Sequence, residues 1–405
     1  MHSRADAAAL DAADPLAGFR ERFVVTDPEL IYLDGNSLGR LPAALPERLA
    51  ALVGTAWGAR LIRSWNEGWL DLPYRAGDLI GSLIGAAPGQ VVVADSTTVN
   101  LYKLAGAALG GSGRRVIVTD RGNFPTDRYV FAGLAEVRFA EPTPESVAAA
   151  VGPDTALVAL SHVDYRSGAI ADMAGINAVA HAEGALVLWD LCHSAGAIPV
   201  DLDGTGTDLA VGCTYKYLNG GPGSPAFLYV RSGLQDTLVP PIQGWFGQRD
   251  QFAMGPAFDP VPGIGRFLSG TPHLVGIACV EEGVQVIADA GIAALRAKSV
   301  AQTSLVIDLA DAWLADLGFR VASPRDPSAR GSHVALAHPD GYRISRALTE
   351  LANVIVDFRQ PDVIRIGITP ASTTFTELWD ALARLRDLVA SGAHESLDLP
   401  PLPVT

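Results

Sequence analysis

Lysine is nearly missing from this 405-residue chain: only Lys103, Lys216 and Lys298 stand among its 30 basic residues. Any chemistry that needs an amine nucleophile therefore has three candidates. Cysteine is equally scarce. Cys192, Cys213 and Cys279 are odd in number and lack metal-ligand spacing, which argues against a disulfide framework and makes a reducing cytoplasm the expected compartment. No apolar run approaches the roughly 18 residues of a membrane helix. Asp6, Asp11 and Asp14 interrupt the opening segment, so neither a membrane partner nor a secretory apolar core is expected. Positive charge is also short. The 30 basic residues face 44 acidic ones, and a net charge of −14 disfavours nucleic acid and anionic lipid as partners. The histidines show no i, i+4 pairing, so no metal site is expected. A P-loop is absent, and GxSxG and GxGxxG do not occur at strand-to-helix junctions, which leaves nucleotide-binding and serine-hydrolase readings without support.

What remains is an ordinary globular composition, 49% apolar and 18% charged, long enough for a large core. Short β-rich runs at Val91–Ala94, Arg115–Thr119, Ala135–Phe139, Ala156–Ser161, Ala185–Asp190, Leu209–Cys213 and Ala226–Val230 alternate with helix-period segments such as Val99–Leu109 and Ile176–Glu183. This alternation predicts an α/β unit with a large, mostly parallel sheet covered on both faces. The turn-rich stretch Gly255–Gly265 reads as a boundary. Beyond it, a long helical region from about Leu274 to Leu317 precedes strand-like runs at Phe319–Ala322, His333–Ala337, Val354–Asp357 and Val363–Gly367, with helices at Tyr342–Leu351 and Thr376–Leu388. The expected division is an N-terminal segment (1–70) packed on the small unit or on a partner subunit, a large domain (71–270) and a smaller α+β domain (271–405). The proline-rich tail Leu397–Thr405 is expected to be a strap or frayed end.

The segment Thr207–Val230 carries the strongest chemical signal. A strand-like run ends in Cys213-Thr214-Tyr215, then Lys216, then the breaker loop Gly220-Gly221-Pro222-Gly223. A lysine among apolar and aromatic neighbours is a candidate Schiff-base nucleophile, because partial burial favours its neutral amine. The plain alternative is a lysine whose stem packs on the sheet while its head snorkels to water. Lys103 and Lys298 lie in helical patterns, where a solvated face is expected. A Schiff-base lysine implies pyridoxal phosphate, and hence an anion cradle and a carboxylate. Asp95-Ser96-Thr97-Thr98 follows a strand and opens a helix, a phosphate-binding arrangement that is also a plain N-cap. Asp190 ends an apolar strand, where ligands of open α/β sheets collect, though it also suits a helix N-cap. His193 follows three residues on. Phe124 offers a ring for stacking or a core residue. Arg365, a charge inside a strand pattern, needs either a substrate carboxylate or a structural ion pair.

These residues together resemble the kynureninase family. The resemblance rests on Tyr32-Leu33-Asp34-Gly35-Asn36-Ser37-Leu38-Gly39, Ala94-Asp95-Ser96-Thr97-Thr98-Val99-Asn100-Leu101, Asn123-Phe124-Pro125-Thr126-Asp127 and above all Cys213-Thr214-Tyr215-Lys216-Tyr217-Leu218-Asn219-Gly220-Gly221-Pro222-Gly223, continued by Gly244-Trp245-Phe246-Gly247 and Ser269-Gly270-Thr271-Pro272. It implies the fold type I pyridoxal-phosphate architecture, a homodimer with active sites at the interface, and hydrolysis of L-kynurenine or its 3-hydroxy form to anthranilate or 3-hydroxyanthranilate and L-alanine in tryptophan degradation. By that resemblance Lys216 carries the cofactor and moves the α-proton, and Asp190 holds the pyridine nitrogen. Thr97, Thr98, Tyr215, Trp245 and Thr271 serve the phosphate end, the last two across a dimer. Phe124, with Pro125 and Thr126 beside it, covers the ring, while Asp127, Ser161 and His193 complete its hydrogen bonds. Arg365 takes the substrate carboxylate, Asn36 and Ser37 line the substrate side, and Tyr215 protonates the alanine product. The chain departs from the family pattern at Ser167 and at Ala371-Ser372-Thr373, positions assigned to no cofactor contact. Two rivals are a cysteine-desulfurase-like enzyme, which needs a reactive cysteine on a mobile loop, and a non-catalytic scaffold, which has no need of Lys216 or Asp190.

Overall fold

A computed structural model describes residues 3–396, so the tail reading at Leu397–Thr405 lies outside the described residues. Seven strands form the large sheet: β1 (Val91–Val93), β2 (Val116–Thr119), β3 (Glu136–Phe139), β4 (Thr155–Ser161), β5 (Leu186–Asp190), β6 (Leu209–Gly212) and β7 (Phe227–Val230). Their spatial order is β1-β7-β6-β5-β4-β2-β3. β2, β3, β4, β5 and β6 are parallel; β7 pairs antiparallel with both β6 and β1. Each expected strand of this sheet is present, its ends within one residue of the expected ones.

The sheet explains why these strands read as continuous apolar runs. Successive side chains alternate faces, and both faces are covered. Val91, Val93, Val116, Val118, Val158, Leu160, Val187 and Trp189 join one core with the helix Leu72–Leu83 and with α4 (Leu274–Ala290). Val92, Ile117, Leu157, Ala159, Leu188, Val211 and Leu228 join another with α1 (Thr97–Ser112) and α2 (Pro125–Leu134). Burial on two faces removes the polar alternation that a half-exposed sheet shows.

The expected long helix from 274 to 317 is two helices, α4 and α5 (Ile292–Trp313), separated by Gly291 at φ +76°. That left-handed φ suits glycine and turns the chain. A second sheet has four strands, β8 (Arg320–Val321), β9 (His333–Ala337), β10 (Asp357–Arg359) and β11 (Val363–Gly367), in the order β10-β11-β9-β8. It packs with α5, α6 (Gly341–Ala352) and α7 (Phe375–Ala390) around Leu309, Leu336, Ile344, Ile364 and Leu382. The expected strand Val354–Asp357 is divided: Val354–Ile355 pairs in parallel with Ile31–Tyr32, while Asp357 begins β10. The N-terminal segment is therefore tied to this second unit. Its first helix, Arg4–Ala12, also lies on α7, with Asp11 accepting the Phe375 and Thr376 N–H groups at 2.7 and 2.9 Å.

Candidate active site

All strands of the large sheet except β7 point their carboxyl ends the same way, and the loops leaving five of them meet at one cavity of about 160 Å³. Its wall contains Thr97 and Thr98 after β1, Phe124, Thr126 and Asp127 after β2, Ser161 at the end of β4, Asp190, Cys192 and His193 at and after β5, and Tyr215 and Lys216 after β6, with Val163 and Tyr165. Residues more than a hundred positions apart converge because parallel strands deliver their C-terminal loops to one edge.

Each group has a local reason for its place. Ser96 caps α1 through the Val99 N–H, so Thr97 and Thr98 sit in the first turn, where unpaired N–H groups and the helix dipole favour an anion. Asp190 accepts the Cys192 N–H at 2.7 Å, which fixes the carboxylate at the strand end; no helix follows, so it is not an N-cap. Asp127 meets Asp190 as a carboxyl pair. Burial first, then the Asp190 charge, push the Asp127 carboxyl well above the usual range, so it keeps its proton and faces Asp190 as a donor. Lys216 Nζ lies 3.1 Å from His193 Nε2. Burial and the cations Lys216 and Arg365 keep the His193 imidazole neutral, and its Nδ1 is buried with no hydrogen-bond partner among the described residues. The Tyr215 phenol is pushed upward by Cys213 and by burial, so it stays protonated. Phe124 is 39% exposed and touches Tyr165 edge-on at 5.2 Å, so it stands at the cavity mouth and not in a core. Ser161 donates to Asn123 Oδ1 at 2.7 Å.

Several expected residues lie elsewhere. Pro125 opens α2 just behind Phe124. Trp245 and Thr271 do not line the cavity of their own chain; Trp245 is 44% exposed in an aromatic row with Phe246 and Phe252. Asn36 is fully buried against Gly367 and away from the cavity. Ser37 and Arg365 form a neighbouring cluster. Arg365 ion-pairs with Asp357, donates to the Tyr165 carbonyl at 2.6 Å and lies 3.2 Å from Ser37 Oγ. Burial lowers its guanidinium only to about 10, so it stays charged. Tyr165 joins this cluster to the cavity wall.

Two readings need correction. Lys103 and Lys298, expected on solvated helix faces, are both buried. Lys103 is held by Asp95, the Phe267 carbonyl and Ser269, and Lys298 pairs with Asp14 at 2.7 Å. Helical period alone does not reveal that another segment covers the face. The sequence reading also missed Cys192, Tyr165 and Asp357. The spacing Asp190-x-Cys192 was a usable signal, since alternate residues of an extended chain share a face.

The donor set fits pyridoxal phosphate. One amine faces the cavity for the aldehyde, a carboxylate for the pyridine nitrogen, and hydroxyls at a helix N-terminus for the phosphate, and the imidazole that touches the amine through Nε2 leaves its Nδ1 without a partner among the described residues. Among the described residues no group of His, Cys, Asp and Glu is placed to hold a metal ion.

Known proteins extend this picture. The kynureninase C-terminal domain family matches residues 295–385, and the DegT/DnrJ/EryC1/StrS aminotransferase family matches residues 83–207. The chain is similar to a kynureninase from Pseudomonas fluorescens, at 47% identity over 402 residues and 96% of each chain. It is likewise similar to one from Burkholderia pseudomallei, at 45% identity over 406 residues and 97% of each. Among solved structures, the apo cysteine desulfurase of Thermococcus onnurineus NA1 superposes with TM-score 0.78 at 19% identity, covering 93% of this chain and 98% of that one. A C-DES mutant with glycine covalently linked to its pyridoxal-phosphate cofactor gives 0.80 at 20% identity, covering 91% and 99%. At such identities these two establish the fold, fold type I, and nothing finer.

Proposed function

The chain belongs to the kynureninase family, and from that premise we propose that the cavity at the carboxyl edge of the large sheet is where it cleaves the Cβ–Cγ bond of L-kynurenine by hydrolysis, giving anthranilate and L-alanine. The observation that carries the assignment is the meeting of Lys216, Asp190 and the Thr97–Thr98 hydroxyls on one cavity. The enzyme is a pyridoxal-phosphate-dependent carbon–carbon hydrolase. When bound, the cofactor supplies an electron sink for negative charge developing next to the substrate amine.

The chain's own residues do the rest. Lys216 holds the cofactor covalently and, once displaced, moves the α-proton; His193 at 3.1 Å accepts from its amine and orients it. Asp190 keeps the pyridine nitrogen protonated, and protonated Asp127 steadies that carboxylate. Thr97 and Thr98 bind the phosphate with the α1 N-terminus, Phe124 covers the ring with Pro125 and Thr126 behind it, and Ser161 bonds at its rim. Tyr215, kept protonated, delivers a proton to the three-carbon product. Arg365 and Ser37 receive the substrate carboxylate, and Asn36 supports that wall through Gly367. The cysteine-desulfurase-like alternative has no better support: Cys192 is pinned in the cavity wall and Cys213 is buried, neither on a free loop.

We also assign a homodimer in the cytoplasm. Trp245, Phe252, Trp57 and Ile62 are large exposed apolar groups, and Trp245 and Thr271, idle in their own chain, would serve the phosphate end of the partner's site. Such surfaces mark interfaces. Among the described residues no helix is long and apolar enough to cross a membrane. The test of the cofactor assignment is borohydride reduction followed by peptide mapping. Label should fall on the peptide containing Lys216, and label on Lys103 or Lys298 would overturn it.

A further inference from the structure

We propose that Cys192 and Cys213 form an oxidisable dithiol under the cavity, which a peroxide-class oxidant closes to a disulfide when the cofactor is absent. The sheet register brings them together. β5 and β6 run parallel with Asp190 opposite Val211, and the Leu191 N–H continues the ladder to the Val211 carbonyl at 2.8 Å. The chain leaves the sheet just beyond, and Cys192 and Cys213 each follow the last paired residues by two positions, which brings the Cys213 backbone onto the Cys192 sulfur. Neighbouring strands are about 4.8 Å apart, inside the Cα separation of roughly 4.4–6.8 Å that disulfides span. The side chains already touch. The Cys213 N–H donates to Cys192 Sγ at 3.2 Å, and the Cys213 thiol lies 3.9 Å from the Cys192 carbonyl oxygen. Both are free thiols; Cys213 is buried, and Cys192 Sγ forms part of the cavity wall, 3.9 Å from Thr97 Oγ1.

The balance is complete. The Cys192 thiol gives its proton to the departing oxygen as its sulfur attacks the other peroxide oxygen; the O–O bond breaks, the sulfur becomes a sulfenic acid, and the departing oxygen leaves as water. The second sulfur then displaces the hydroxyl, the S–S bond forms, and a second water leaves. Two thiols lose two electrons and one peroxide becomes two waters. A ligand filling the cavity covers Cys192, so occupancy opposes oxidation. Oxidation in turn is expected to weaken occupancy, because drawing Cys192 onto Cys213 displaces a side chain of the cavity wall that lies 3.9 Å from Thr97 Oγ1. The structural route is short, because the Cys192 N–H donates to the Asp190 carboxylate at 2.7 Å and Tyr215, two residues after Cys213, lines the same cavity.

The full chain, with cofactor and stripped of it, is treated with hydrogen peroxide, its remaining thiols are alkylated, and peptides are mapped without reduction. The Cys192–Cys213 cross-link is expected in the stripped protein and suppressed in the loaded one. The apparent Kd of the cross-linked protein for pyridoxal phosphate should rise at least about tenfold, and dithiothreitol should reverse both changes. Cys213→Ala and Cys192→Ala should each abolish the cross-link and the peroxide-induced loss of affinity. Absence of the cross-link while Cys279, far off on α4, is oxidised overturns the proposal. So does peroxide-weakened binding that persists in Cys213→Ala. The affinity arm rests on assigning this cavity to the cofactor; the cross-link arm does not. A cross-link with unchanged affinity therefore removes the regulatory half of the inference and points to a cofactor held elsewhere.

Discussion

Arg365 is 1% exposed and already holds an anion, Asp357, its cross-strand neighbour in the β10–β11 register. Asp357 is shared with Arg359 at 2.7 Å and with Ser37 Oγ at 3.1 Å. In the proposed assignment a substrate carboxylate would join a network that already holds Arg365, Arg359, Asp357 and, nearby, Asp34. Arg365→Lys keeps the charge but loses the fork that contacts Asp357, Tyr165 and Ser37 together. The KM for L-kynurenine should rise at least about tenfold, about 1.4 kcal/mol, while the cofactor's visible absorbance stays unchanged. A fall in Tm with KM unaltered would make Arg365 a structural ion-pair residue only. The strand pattern announced that this arginine needs a partner. The partner's name required the register, because Asp357 lies eight positions away across a turn.

At the scale of elements, two contacts hold the site's pieces in place. The Tyr32–Gly39 motif docks on the lysine loop: the Gly39 N–H donates to the Tyr215 carbonyl at 2.8 Å, and a Cβ at Gly39 would run into the Lys216 carbonyl and Asn219. Glycine is there for close approach, and the motif is read as part of the active site only once the chain is folded. The second contact is Lys103. From the second turn of α1 its ammonium reaches back to Asp95, just ahead of Thr97 and Thr98, and across to Phe267 and Ser269. Lys103→Met leaves Asp95, about a third exposed, without its cation. Breaking a buried pair costs about 3–5 kcal/mol, and partial hydration of Asp95 argues for the low end. The thermal midpoint should fall and the cofactor Kd rise, with peptide mapping still finding the label on Lys216. An unchanged Kd would show that the tie does not reach the phosphate end.

At the scale of the molecule, three buried imidazoles set the acid limit. His162, His193 and His333 are kept neutral chiefly by burial, His162 down to about 4 and His333 to about 3. The unfolded chain takes up these protons near 6.5. Between the two values it binds more protons than the native state, so stability rises with pH there; it is fully present above about 6.5 and lost as pH falls. Each group contributes up to ~1.4 kcal/mol per pH unit within its window. His162→Gln should flatten the drop in urea midpoint between about pH 7 and about pH 5; an equally steep drop would place the acid sensitivity in other groups. The aromatic row Trp65, Phe246, Trp245 and Phe252 reaches from a core contact to open surface. Sedimentation equilibrium should return twice the chain mass of 42.4 kDa, and mixing inactive Lys216→Ala with inactive Thr271→Ala should restore activity through hybrid dimers. A monomeric mass or failed complementation would rule out the shared site.

The large sheet and its chemistry were legible in the residues because both arise locally. A strand buried on two faces must be apolar throughout, and a lysine, an aspartate and a Ser-Thr-Thr turn each carry their chemistry wherever the strand ends put them. The scarcity of lysine narrowed the amine to Lys216 before any contact was known. Other features depended on what another part of the chain brings into contact. Burial of Lys103 and Lys298, the division of Val354–Asp357 between two sheets, the Asp357 partner of Arg365 and the meeting of Cys192 with Cys213 all follow from packing and register between distant segments. A side chain's periodicity states which way it points along its own element. Whether water, a carboxylate or a second thiol waits there is decided only when the other elements close over it.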